Sequence, residues 1–93
     1  MKVLWTASAL AQLQAIHDFV AQTSPDYAIR IIDRLIRRSI QIAAFPNSGR
    51  IVPEYDRKEI REVFEGRYRI IYLVEVAQVQ VLAVIHSARD LLP

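Results

Sequence analysis

The chain has 93 residues, 53% of them apolar, with a formal net charge of +2 and no cysteine. That length fits one small domain over residues 1–93 with a limited core, and that apolar content excludes a disordered tail and leaves apolar surface to spare for a partner. The missing cysteines exclude a disulfide framework and a thiolate metal site, and two histidines, His17 and His86, are too few for structural zinc, so no cofactor and no metal are expected.

Lys2 to Thr6 (K-V-L-W-T) reads as a short first strand. Its apolar run stops at Thr6, so no secretory signal is read there. No stretch approaches the roughly 20 apolar residues of a membrane span, and a cytoplasmic protein without a membrane partner is expected. The hydroxyl of Thr6 suits a helix N-cap, with Ser8 as the competing cap. From Ala7 to Gln22 the residues Ala9, Leu13, Ile16 and Val20 recur at helical spacing, widened by Leu10 and Phe19.

T-S-P-D-Y restarts the chain: Ser24 caps, Pro25 fills the first helical position and Asp26 favours the positive helix end. The second helix runs to Ala44, with Ala28, Ile32, Leu35, Ile36, Ser39, Ile42 and Ala43 expected inside. So short a connection predicts an antiparallel helical hairpin. P-N-S-G ends the helix in a turn, and residues 50–58 read as a polar connection. Ile60 to Glu65, Tyr68 to Glu75 and Val79 to His86 then read as three strands of an antiparallel meander, turning at Gly66 and at Ala77-Gln78. On the last of these Val79, Val81, Ala83 and Ile85 should share one face, and Gln80, Leu82, Val84 and His86 the other. The predicted order is β-α-α-β-β-β, an α+β fold with a helical hairpin packed on a small, mainly antiparallel sheet.

Charge is concentrated: residues 25–69 hold ten of the twelve Lys and Arg. Arg61, Arg67 and Arg69 crowd the turn at Gly66, with Arg50 and Arg57-Lys58 upstream and Arg89 after the last strand. The meander would bring Arg69 near His86. Arginines grip phosphate and histidine titrates near neutral pH, so the pair has the makings of metal-free RNA cleavage, with Glu59, Glu62 or Glu65 as a candidate base. The plainer alternative has Arg61 and Arg67 paired to Glu62 and Glu65 on a solvated hairpin, and His86 as a strand-end packing residue. His17 beside Asp18 reads as surface structure, and Trp5, Tyr68 and Tyr72 as core. Gly49 and Gly66 are the only glycines, so no phosphate-cradling loop exists.

In order along the chain stand V-L-W-T-A-S-A, S-P-D-Y-A, F-P-N-S-G-R-I-V-P-E, I-R-E-V, Y-R-I-I-Y and V-L-A-V-I-H-S-A-R-D. With that order and spacing the chain resembles the RelE/ParE superfamily of type II toxins, most closely its ParE branch. The resemblance implies a growth-inhibiting, plasmid-stabilising toxin that inhibits DNA gyrase. It also implies a ParD-like antitoxin that silences it within a toxin–antitoxin hetero-oligomer. RelE-type members instead cut mRNA in the ribosomal A site, and there the resemblance maps Arg69, Arg61 and His86 onto the catalytic set. No tyrosine follows His86, and Lys58 is the only lysine in the sheet-forming half. Both departures favour the ParE branch, in which Arg50, Arg61, Arg67, Arg69 and Arg89 would bind antitoxin or target.

Overall fold

Two side-chain caps start the helices of the computed structural model, which describes residues 1–88. Strand β1 (Lys2–Trp5) ends at Thr6, whose hydroxyl accepts from the Ala9 N–H at 3.1 Å and opens α1 (Ala7–Ala21). Ser24 does the same for Tyr27 at 3.2 Å and opens α2 (Pro25–Ala44). A single 3-10 turn (Pro46–Ser48) leads to β2 (Arg50–Ile51), β3 (Ile60–Glu65), β4 (Tyr68–Val74) and β5 (Gln78–His86). The α+β expectation holds: two helices pack on one face of a five-stranded mixed sheet of order β1-β5-β4-β3-β2. The meander is antiparallel and β1 alone runs parallel, beside β5. Among the described residues no helix is long and apolar enough to cross a membrane.

The larger core lies between helices and sheet, where Ala9, Ile16, Ile31, Leu35 and Ile42 meet Val63, Ile70, Tyr72, Val79, Val81 and Val84. A smaller one lies on the other face, where Val52 joins Ile60, Ile71, Ala83 and Ile85. β1 is too short to cover all of β5. Beyond it the Gln12 side chain accepts from the Val84 N–H at 2.9 Å, so a helix residue finishes the edge that β1 leaves open.

Three expectations need correction. Residues 50–58 are not wholly a connection, because Arg50 and Ile51 pair with Glu62 and Arg61 as an edge strand. On α2 the buried line is Ala28, Ile31, Leu35, Ser39 and Ile42, in steps of three and four, which leaves Ile36 exposed. On β5 the alternation breaks: Ile71 pairs with Ala83 but Tyr72 pairs with Val81, so Leu82 is an extra residue in a bulge. The bulge shifts the phase by one and turns Val84 and His86 to the helix side with Val79 and Val81.

Tyr72 ties sheet to turn. Its buried hydroxyl donates to the Pro46 carbonyl at 2.8 Å and accepts from the Gly49 N–H at 3.0 Å. A Cβ at position 49 would sit 2.4 Å from that hydroxyl and 2.6 Å from the Glu62 carbonyl, so only glycine fits. Burial pushes the Tyr72 phenol above its ordinary range, outweighing the Gly49 hydrogen bond and the nearby Arg61 charge.

Tyr72→Phe is expected to cost about 1–3 kcal/mol in urea unfolding, because two buried backbone groups lose their partner. The raised phenol also fixes a sign. Its contribution is full below the unfolded value of about 10 and is lost as pH rises through the folded one, so alkaline unfolding should be shallower in Tyr72→Phe.

Candidate functional site

β3 and β4 are joined by Gly66 and Arg67, since Glu65 pairs with Tyr68. Gly66 has φ 58°, in the left-handed region where a side chain is strained. This tight turn gathers the arginines, and the pleat then separates them. Glu62, Phe64 and Arg69 point to the face away from the helices, while Arg61, Glu65 and Tyr68 point to the helix side.

The Glu62 carboxylate is fully buried. Its Oε1 accepts from Arg69 Nε at 2.8 Å and from Arg69 Nη2, and its Oε2 from Arg50 Nε. Arg69 Nη2 also lies 3.9 Å from Glu54. Both guanidiniums stack toward the half-exposed ring of Phe64, at 5.6 Å for Arg50 and 6.0 Å for Arg69. Arg61 Nη1 donates to the Gly49 carbonyl at 2.8 Å and to that of Asn47 at 3.4 Å. Three of the proposed binding arginines thus hold the structure together. Arg67 differs: its carbonyl accepts from the Ser87 N–H at 2.8 Å, but among the described residues its exposed guanidinium makes no hydrogen bond or ion pair. Arg89 lies outside the described residues.

The approach of Arg69 to His86 is not formed. Tyr68 pairs with His86 and Arg69 with Ile85, so Arg69 and His86 emerge on opposite faces of the sheet. The His86 ring meets Tyr68 edge to face, with centroids 5.5 Å apart. The Ala88 N–H donates to its Nδ1 at 3.1 Å, which leaves the proton of the neutral ring on Nε2. His17 turns to Asp18 at 3.1 Å on the surface of α1, and with Gln14 it holds that carboxyl below the usual range.

His86 instead lines a groove of about 770 Å³ between the helical hairpin and the β3–β4 turn. Tyr68 and Leu35 line it with Phe19, Tyr27, Arg34 and Arg67, and Glu65 stands 4.0 Å from Arg38. The sequence puts Phe19 with Leu10 on the inward stripe of α1, but both are exposed, and Phe19 instead joins Tyr27 and Arg34 at the groove; the signal for the two aromatics is their position either side of the turn at residues 22–24. Apolar walls with unpaired cations can seat an apolar side chain next to a carboxylate or phosphate. Among the described residues no three carboxylates or imidazoles gather to hold a metal.

Residues 3–91 match the family described as ParE toxin of type II toxin-antitoxin system, parDE. A Caulobacter vibrioides protein named Toxin RelE2 is 36% identical over 89 residues, spanning 95% of this chain and 97% of that protein. Among solved structures, the chromosomal ParDE TA system from P. aeruginosa shares the fold with a TM-score of 0.76, at 21% identity over 92% of this chain and 95% of that one.

Glu62→Ala is expected to destabilise the protein by about 3 kcal/mol, because the nearly buried Arg69 loses its hydrogen-bonded carboxylate and keeps only the half-exposed Glu54 at 3.9 Å. Arg50→Ala, on a side chain 62% exposed, should cost under about 1 kcal/mol. Urea titrations of the two variants test this order.

Proposed function

The chain belongs to the ParE toxin family of type II toxin–antitoxin systems, and from that premise we propose that it inhibits DNA gyrase by binding it and that a ParD-like antitoxin silences it. The observation that carries this reading is the strand register that puts Arg69 and His86 on opposite faces. Cleaving RNA without a metal needs an acid, a base and a cation around one phosphate. Here Arg69 is committed to a buried carboxylate, Arg61 to the carbonyls of a turn, and His86 lies apart from both. A toxin that works by occupying its target needs no such set. It needs docking surface, and the groove with Arg34 and Arg67 at the helical hairpin supplies one. Gyrase and antitoxin both place its action in the cytoplasm, with growth arrest and plasmid stabilisation as consequences.

The rival is a ribosome-dependent mRNA endonuclease using His86, Arg69 and Arg61. It draws support from the name of the Caulobacter relative, Toxin RelE2.

Purified protein added to gyrase and relaxed plasmid is expected to suppress supercoiling and trap cleaved DNA. Unchanged supercoiling refutes the proposal. In that case A-site cuts on translating ribosomes, abolished by His86→Ala, would establish the rival. If neither activity is found and induced expression leaves growth unaltered, the chain is a toxin relic that only binds its antitoxin.

A further inference from the structure

We infer that α2 carries a self-complementary face through which two copies of this chain pair antiparallel, whatever the toxin's target. Ile29, Ile36 and Ile40 are 62%, 41% and 57% exposed. At 3.6 residues per turn they fall on one line along the helix, separate from the line that packs on the sheet. The line adjoins a smaller groove of about 310 Å³ against α1, where Leu10, Leu13 and Ile32 are partly uncovered. So much aliphatic surface in one place marks an interface.

Charge selects the occupant. α2 has four arginines and two aspartates, which taken together would call for an acidic partner. Three of those arginines lean away from the line. Arg30 lies 5.5 Å over the Tyr27 ring, Arg34 lines the large groove and Arg38 reaches toward Glu65. What remains beside the line, at its mid-length, is one balanced pair, Asp33 and Arg37, 3.0 Å apart and well exposed. A balanced pair one turn apart is complementary to itself under a twofold axis. With the axis at the level of Leu35, Asp33 of one copy faces Arg37 of the other, and the reverse. Ile36 then meets its own mate, and Ile29 packs near Ile40 of the second copy. An acidic helix in the same place would find one cation and would set its charge against Asp33.

Sedimentation of the purified chain over a concentration series, with folding checked by circular dichroism, tests this. The wild type is expected to dimerise reversibly. Asp33→Lys and Arg37→Glu should each weaken the dimer about tenfold, since the twofold axis makes each reversal count twice. An equimolar mixture of the two variants should recover wild-type association, because the lysine introduced in one copy then faces the glutamate introduced in the other. A charge pair within one helix cannot produce that recovery. Ile36→Lys, at an exposed site, should abolish dimers while the chain stays folded. A monomeric wild type, or a mixture no more associated than its components, overturns the inference. Each variant is also assayed on gyrase, so that loss of pairing and loss of toxicity are read separately.

Discussion

Glu62 is a carboxylate with no exposed surface, and the sheet-turn end of the molecule is arranged around it. Burying one charge is expensive, and the expense is met only when counter-charges and hydrogen bonds surround it. Arg69 comes from the neighbouring strand β4, and Arg50 from β2 on the far side. The Arg50 contact adds to the backbone pairing with β3 and to the buried Val52 in holding the two-residue edge strand. The turn before β2 is held from the other face of the sheet, where Tyr72 binds Pro46 and Gly49 and Arg61 binds Gly49 and Asn47. The glycine is demanded by the closeness of this packing, since its backbone lies against the Tyr72 hydroxyl and the Glu62 carbonyl.

The basic cluster that dominates the sequence is therefore largely internal machinery. A guanidinium bound to a buried carboxylate is neutralised and oriented, and a phosphate could recruit it only by leaving Glu62 uncompensated. The cations with room for a partner, Arg34 and Arg67, stand on the helix side beside His86. Arg50 and Arg69 are thus tied to Glu62 on one face of the sheet, while Arg34 and Arg67 line a groove on the other, although Arg67 and Arg69 are close neighbours in the chain.

One extra residue decides which of the two faces His86 joins. If β5 were regular, its alternation would put His86 on the face opposite Val79 and Val81. The bulge at Leu82 shifts the phase and brings His86 round against Tyr68. Leu82 has nothing in its type or neighbours that marks a bulge; only pairing against β4 exposes the mismatch. The exposed isoleucines of α2 were hidden for a related reason. The helix carries more apolar residues than the line that packs on the sheet, and which of them face it depends on how the hairpin lies across it.

By itself the sequence determined the elements. The Thr6 and Ser24 caps, Pro25, the P-N-S-G turn and Gly66 act through groups within a few residues, so both helices, the main strands and the α+β order were legible. Its motif order also carried the family. The polar partners that lie far apart in the chain were decided only in the tertiary structure. Glu62 and Arg50 are 12 residues apart, Tyr72 and Pro46 are 26 apart, and Gln12 and Val84 are 72 apart. Period and propensity record which way a side chain points along its own element. They do not record which strand lies opposite, and the opposing strand decides whether an arginine serves the core or a partner.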